Sequence, residues 1–512
     1  LARGMDRRLV LYCGPTNSGK THQALRHAMD AGTAEILSPL RLLALEHYET
    51  LSANGLSSGL ITGEEKRVGG NPTHIARTIE TTDFHRTVET AVIDEVQMLA
   101  DRQRGWAWTA AVIGVPADTV VMTGSPEAVP LVRKLAEITG EKLEVVHLER
   151  KGRLSCMERP LELHEVRKGD AVIVFTRDDV HKCRKLLGDA GNVTTAAIYG
   201  SLGPEVRAKE AKRFAEGRAD VLVATDAIGM GLNLGDIERV FFTTTEKFDG
   251  VSKRALSFAE IRQIGGRAGR YGKAEEGFIG TVRYPNSVAS LRRIAKALQA
   301  EPERHPLAFG VMPNLDICLK ASAALDSDDL PDVLGFLKDA LVKGDGVFKV
   351  GDMAGMLEAA RTIRSVGLPI DVQFRYATAP VKSGKSGNLF RLNQFAREHA
   401  GKGKVQLPRP GTQDGSLESM EALLRDVDLY LWLSQRFPEA YFLDEQAREE
   451  RRRLNASISK AIKARSSRKK LSRKERAEIV RDRSGRKPRR RHFGTCDEDD
   501  DDYGYAAGGT WL

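Results

Sequence analysis

Residues 9–25 read LVLYCGPTNSGKTHQAL: a short apolar run, a turn bounded by glycines, and the start of a helix. Within it, Gly14, Pro15, Thr16, Asn17, Ser18, Gly19, Lys20 and Thr21 fit G-x-x-x-x-G-K-[ST]. Glycines let successive backbone amides turn inward around a phosphate, and the following helix aims its positive N-terminus at the same place. Lys20 supplies a mobile cation for the β- and γ-phosphates, and the Thr21 hydroxyl is placed to ligate Mg²⁺. Such a loop needs an acidic partner on a neighbouring strand. TAVIDEVQM, residues 90–98, supplies Asp94 and Glu95 at the end of an apolar run. Asp94 is read as holding Mg²⁺ through water, and Glu95 as orienting and deprotonating the attacking water. An Asp-Glu pair alone is no more than a strand end on the surface. Behind a phosphate loop at this spacing, the catalytic reading is the stronger one.

Outward from this stretch, β-rich runs alternate with helical patterns for about 285 residues, as in a doubly wound α/β protein. RLVLYC, AEIL, GLIT, TAVID, TVVMTG and LEVVHL are candidate strands. The pattern pauses at ERKGRLSCMERP, residues 149–160, then restarts with AVIVFT, TTAAIYG, DVLVAT, ERVFFTT and GFIGTV. Two similar α/β units in series predict two lobes, residues 1–150 and 151–288, with a cleft between them. Beyond them, LPDVLGFLKDAL, MAGMLEAARTIRS and SLESMEALLRDVDLYLWLSQRFP carry apolar residues at helical spacing, which predicts a helical region over 289–447.

A phosphate loop alone does not separate a kinase from a motor. QIGGRAGRYG, residues 263–272, adds Gln263, Arg267 and Arg270 among glycines. Two arginines three apart share a face of a helical turn, where they can neutralise charge developing on a γ-phosphate if the lobes close. VLVATDAIGMGLNL, residues 221–234, is a strand entering a glycine-bearing turn. Asp226 and Gly229 there are assigned to the nucleotide, with an ordinary strand-to-helix loop as the alternative.

The net charge of +9 is unevenly spread. Residues 448–491 carry +15 and residues 497–502 carry −6, so the first 447 residues are neutral. Residues 448–512 are expected to be a largely disordered tail, basic and then acidic, its first part a basic helix. The basic run is either solvated or an anchor for a polyanion such as nucleic acid. Five scattered cysteines, with no C-x-x-C pair, argue against disulfides and a zinc site. No apolar run approaches the about 18 residues of a membrane span, so no membrane partner is expected. The absence of a transit-type start favours a bacterial cytoplasmic protein, with a trimmed mitochondrial matrix form as the alternative.

The set GPTNSGKT, TGEE, VIDEVQM, RGWAWT, AIYGSL, VLVATDAIGMGLNL and QIGGRAGR, followed by RYATAP and LYLWLSQRF, resembles the Suv-three family of mitochondrial degradosome RNA helicases and its bacterial relatives. These are superfamily-two, DExH-type enzymes. The resemblance covers about residues 8–440. It implies an α/β fold with two tandem RecA-like (P-loop NTPase) lobes, an all-α C-terminal region, and ATP-driven 3′-to-5′ unwinding of RNA, with DNA left open. It implies that Gln97 links ATP state to lobe contacts. It places Pro39, Arg41, Thr62, Gly63, Thr78, Thr176, Gly200 and Thr225 along the nucleic-acid path. It also implies an exoribonuclease partner such as polynucleotide phosphorylase. A hairpin around Asp249-Gly250 corresponds to a strand-separating wedge in related helicases, with a plain surface hairpin as the even alternative. Trp106 and Trp108 are either a base-stacking platform or, more in keeping with their neighbours, packing of the first lobe. Leu429, Trp432 and Leu433 form a core stripe. The alternatives to a helicase are a nucleoside kinase, a DNA translocase that never separates strands, and a catalytically weak RNA-binding scaffold.

Overall fold

The apolar runs become two parallel sheets. A strand covered on both faces has no solvent side, so it reads as continuous Val, Ile, Leu and Ala rather than alternation. The computed structural model describes residues 1–466 except 151, 192, 230–233, 249–251, 270–275, 286–288, 343–345, 382–386 and 410–415. Arg270, the Asp249-Gly250 turn and residues 467–512 therefore lie outside the described residues.

In the first lobe the chain runs β1 (Arg8–Cys13), α1 (Lys20–Asp30), β2 (Ala34–Ser38), α2 (Arg41–Ala53), β3 (Ser58–Ile61), β4 (Lys66–Arg67), β5 (His74–Thr78), β6 (Val88–Ile93), α3 (Gly105–Gly114), β7 (Ala117–Gly124), α4 (Ala128–Thr139) and β8 (Lys142–His147). The strand order is β4-β3-β5-β2-β6-β7-β1-β8, parallel throughout except for the β3–β4 hairpin at one edge. β1 lies between β7 and β8, with Leu9 opposite Val120 and Leu143. Trp108, Val112, Leu131 and Leu135 of α3 and α4 close one face, and Ala24 and Ala28 of α1 close the other.

The second lobe follows with β9 (Arg153–Cys156), β10 (Asp170–Ile173), α5 (Arg177–Gly191), β11 (Thr195–Ile198), α6 (Pro204–Ala215), β12 (Val221–Ala224), β13 (Arg239–Phe242), a hairpin of β14 (Glu246–Phe248) and β15 (Lys253–Ala255), α7 (Phe258–Gly265) and β16 (Glu276–Thr281). Its six strands, in the order β11-β12-β10-β13-β16-β9, are all parallel. The sequence pause at residues 149–160 contains β9, an edge strand.

The C-terminal region divides between the lobes. α8 (Leu291–Gln299) covers one face of the second sheet through Ile294 and Ala297. The chain then returns to the first lobe, where β17 (Phe309–Val311) inserts Phe309 into the core around Trp108. α9 (Leu315–Leu325) and α10 (Leu330–Val342) follow, and β18 (Phe348–Val350) pairs with β17, so this helical region includes one short parallel strand pair. α11 (Ala354–Ile363), α12 (Ile370–Ala377), α13 (Leu389–Lys402), α14 (Leu417–Ser434) and α15 (Asp444–Ser466) close the other face of the second sheet. α15 runs through the boundary expected at 447/448, its Leu454, Ile458 and Ile462 buried. Leu429, Trp432 and Leu433 lie in this core.

Candidate nucleotide cleft and nucleic-acid face

The phosphate loop leaves β1 and enters α1 through Gly19, whose φ of 86° is left-handed. Gly14 has no room for a side chain, since a Cβ there would lie 2.2 Å from the Leu148 carbonyl. Among the described residues only Asn17, Glu95 and Asp326 are non-glycine residues with positive φ. Two of the three sit here, where an asparagine tolerates the left-handed region at small cost. Ser18 Oγ is buried without a hydrogen-bond partner, and Lys20 Nζ donates to the Pro15 carbonyl at 2.7 Å.

Asp94 and Glu95 leave the end of β6 beside this loop. Asp94 Oδ1 accepts from Thr21 Oγ1 at 3.3 Å and from the Thr123 hydroxyl. Gln97 donates to Glu95 and accepts from the Ser125 amide at 3.2 Å, so it ties the acidic pair to the turn that follows β7 in the same lobe. Burial pushes the Asp94 and Glu95 carboxyls above their usual range, and Asp94 raises Glu95 further. Burial pulls the Lys20 ammonium down, against the pull of Glu95 and Asp94. Hard oxygen donors beside a lysine and a cradle of amides fit a magnesium-bound triphosphate.

The second lobe completes a cleft of about 740 Å³, lined by the phosphate loop, Asp94, Glu95, Gln97, Gln263 and Arg267. Arg267 Nη2 donates to the Gly229 carbonyl at 2.9 Å. Burial lowers its guanidinium while the charges of Glu95, Glu46 and Asp94 raise it. Arg262 of α7 pairs with Glu127 of the first lobe at 2.7 Å. Burial would raise the Glu127 carboxyl, but hydrogen bonds from Ser125, its own backbone N–H and Arg262 hold it down. Asp226 points elsewhere: it pairs with Lys247 at 3.0 Å and, like Gly229, is not among the cleft-lining residues. A strand-to-turn motif fixes where Asp226 leaves the sheet, not which way its carboxylate turns.

The eight residues expected along nucleic acid fall into two groups. Pro39, Arg41, Thr62, Gly63 and Thr78 lie at or just beyond the carboxyl ends of β2, β3 and β5, which are adjacent strands. Thr176, Gly200 and Thr225 follow β10, β11 and β12, the adjacent trio of the second sheet. Ligands of parallel sheets gather at such ends. Several of these residues have local duties: Thr176 Oγ1 accepts the Asp179 amide at 3.0 Å, Thr62 Oγ1 accepts the Glu65 amide at 3.1 Å, and the Pro39 carbonyl accepts Arg104 at 2.6 Å. Thr78 and Thr225 are buried. A Cβ on Gly200 would meet nothing within 4 Å, so that turn is open.

α14 touches the first group and the two neighbours of Gly200. A Cβ on Gly63 would lie 3.0 Å from the Trp432 ring, and Arg41 Nη1 pairs with Glu64 at 3.0 Å and Asp428 at 3.8 Å. On the second lobe, Glu421 accepts from the Tyr199 hydroxyl at 2.8 Å and Ser201 Oγ at 3.2 Å. Arg451 of α15 joins Asp428 at 3.5 Å and also bonds Glu205 of α6. Trp108 is wholly buried, its indole N–H donating to the Asp94 carbonyl at 2.9 Å, so it is a packing residue. Sequence reading missed Arg150 in the connection between lobes, the reach of Asn17 across the cleft, and the Glu127–Arg262 pair. No local spacing announces partners more than 100 residues apart.

Residues 1–148 match the DEXQ-box helicase domain of Suv3, residues 155–272 the helicase conserved C-terminal domain, and residues 417–464 the ATP-dependent RNA helicase SUV3 C-terminal domain. The mitochondrial DExH-box ATP-dependent RNA helicase DExH16 of Arabidopsis thaliana is 33% identical over 457 residues, 86% of this chain and 78% of that protein. The mitochondrial ATP-dependent RNA helicase SUV3 of Oryza sativa subsp. japonica is 35% identical over 452 residues, 86% of this chain and 77% of that one. A crystal structure of the Escherichia coli DEAH/RHA helicase HrpB is 16% identical, with a TM-score of 0.46, covering 82% of this chain and 58% of that one.

Proposed function

Given that the chain belongs to the Suv3 family and is an ATP-dependent RNA helicase, we propose that ATP hydrolysed between its lobes drives 3′-to-5′ movement along RNA during RNA turnover. The observation that carries this is the two-sided cleft: phosphate loop and acidic pair on one wall, Gln263 and Arg267 on the other. Amides of Gly14–Lys20 and the Lys20 ammonium would hold the β- and γ-phosphates. Thr21 and, through water, Asp94 would hold Mg²⁺, which supplies charge neutralisation at the phosphates. Glu95, its basicity raised by burial, would take the proton of the attacking water. Arg267, with Gln263 and Arg270, would meet charge developing on the γ-phosphate, so hydrolysis requires the lobes to close.

Pro39, Arg41, Thr62, Gly63, Thr78, Thr176, Gly200 and Thr225 would follow the sugar–phosphate backbone, which gives binding with little sequence preference. We further propose an exoribonuclease such as polynucleotide phosphorylase as the consumer of the unwound strand. The similar proteins are named as mitochondrial, which supports the matrix over the bacterial cytoplasm as the setting. Among the described residues no helix is long and apolar enough to cross a membrane.

The test is ATP hydrolysis without nucleic acid, with single-stranded RNA and with single-stranded DNA, each beside Lys20→Ala. RNA stimulation of at least about tenfold, abolished in the variant, is expected. It should be followed by unwinding of 3′-tailed but not 5′-tailed duplexes. Hydrolysis indifferent to RNA would refute the motor, and unwinding of 5′-tailed duplexes alone would refute the polarity.

A further inference from the structure

The turn that carries Arg267 is held from outside its own lobe. Residues 265–269 read Gly-Gly-Arg-Ala-Gly, and the carbonyls of Gly266, Ala268 and Gly269 all point at two side chains. Arg150, in the connection between β8 and β9, donates to Gly266 O at 2.6 Å, to Ala268 O and to Gly269 O at 3.3 Å. Its remaining nitrogen fixes the fork by donating to Gly152 O at 2.9 Å. Asn17, from the phosphate loop, donates its amide N–H groups to Gly266 O at 3.2 Å and Gly269 O at 2.9 Å. Carbonyls only accept, so the NH₂ end of Asn17 must face them.

This contact accounts for features that phosphate binding does not need. Glycine takes a positive φ at no steric cost, yet residue 17, at φ 64°, is asparagine. Its amide is what glycine lacks. A Cβ on Gly266 would lie 2.9 Å from Thr16 Cβ, and Gly269, at φ 71°, would bring one 3.0 Å from Arg150 Nη2. The glycines thus admit the phosphate loop and the linker arginine to within contact of the turn on both sides of Arg267. Burial lowers the Arg150 guanidinium, and among the described residues no carboxylate bonds to it; its partners there are the carbonyls of Thr16, Gly152, Gly266, Ala268 and Gly269.

We propose that Arg150 and Asn17 are positioning residues for Arg267: they grip its turn by the carbonyls, so that the finger is aimed at the phosphates only while linker and phosphate loop both touch the second lobe. The inference rests on the ATPase reading above. A planar fork suits this grip, since Nη1 and Nη2 reach separate carbonyls at a fixed spacing, whereas a lysine offers one nitrogen on a flexible stem.

The experiment is a double-mutant cycle on RNA-stimulated ATPase, using the full chain. Asn17→Gly keeps the backbone conformation and removes the amide. Arg150→Lys keeps the charge and removes the fork. Each is made alone and with Arg267→Ala, whose own loss is about 10³-fold. Each single variant should lower kcat about 10–100-fold with KM for ATP within about 3-fold, and should cost under about 2-fold in the Arg267→Ala background. Losses that multiply with that of Arg267→Ala, or that appear in KM, would overturn the proposal and assign the two residues to nucleotide binding or to the fold. If Arg150→Lys loses its thermal transition, Asn17→Gly carries the same prediction alone. Multiplying losses in an RNA-stimulated parent leave the proposed function standing, whereas a parent indifferent to RNA overturns both.

Discussion

Replacing Arg451 by Met tests whether α15 is fastened to the lobes by charge. Arg451 is 8% exposed and lies between Asp428, 3.5 Å away, and Glu205, itself held by Asn455 at 3.0 Å. Asp428 in turn faces Arg41, so carboxylates and guanidinium groups alternate from the first lobe through α14 to α6 of the second. At 3.5 Å and an effective dielectric of about 20, the gross attraction of one pair is about 5 kcal/mol, most of it offset by desolvation. Deleting one member of a buried pair costs about 3–5 kcal/mol, because the partner keeps its desolvation without its counter-charge. Glu205 is 41% exposed and Asp428 20%, so water screens part of the loss and the expected cost is about 2–3 kcal/mol. The Met stem retains the packing. Native-state hydrogen exchange reads the cost locally: protection of the α15 amides should fall about 30–150-fold. Arg448→Met, one turn earlier and paired among the described residues with Asp444, should change it by less than about 2-fold. Equal protection in the Arg451 variant and the parent would show that apolar burial of Leu454, Ile458 and Ile462 alone holds the helix.

His47 and Trp108 give two more expectations. His47 is buried against Ser38, and burial pushes its pKa down to about 4. The unfolded chain therefore binds a proton between about pH 6.5 and 4 that the folded chain refuses, so stability falls by about 3 kcal/mol as the pH drops through that window. Burial of Glu35, with Arg77 opposing, raises its carboxyl to about 7 and acts in the opposite sense, so the effect is read as the difference between His47→Gln and the parent across pH 4–7. A pH-independent difference would refute it. Trp108→Phe strips the Asp94 carbonyl of its donor inside the core, and urea unfolding of the first lobe should be destabilised by about 2–4 kcal/mol. A loss of RNA affinity with unchanged stability would instead restore the stacking role.

What the sequence made legible follows from how each feature is stabilised. The phosphate loop, the acidic strand end and most strands were readable because both faces of a parallel strand are buried and the runs are uninterrupted. β5 was not, because it carries His74 and Arg77 into the sheet. His74 bonds the Ala28 carbonyl at 2.8 Å and Arg77 pairs with Glu35 at 2.8 Å, partners invisible in a local window. β9, at an edge with half-buried side chains, lacked the apolar signal. In α15 the stripe Ala447, Leu454, Ile458 and Ile462 is diluted by arginines, so composition placed a boundary where periodicity continues. At the candidate site, the residues grouped by local spacing could be named from the sequence. Those that act by reach, Arg150 and Asn17, needed the fold, and Asp226 was turned away by a lysine no motif foretells.

The return of the chain after α8 to plant β17 on the first lobe, before its last helices settle on the second, joins the lobes by two routes. Besides the connection at residues 148–152, the segment 300–389 is anchored on both. Any opening of the cleft must therefore bend both connections together, which a single tether would not require.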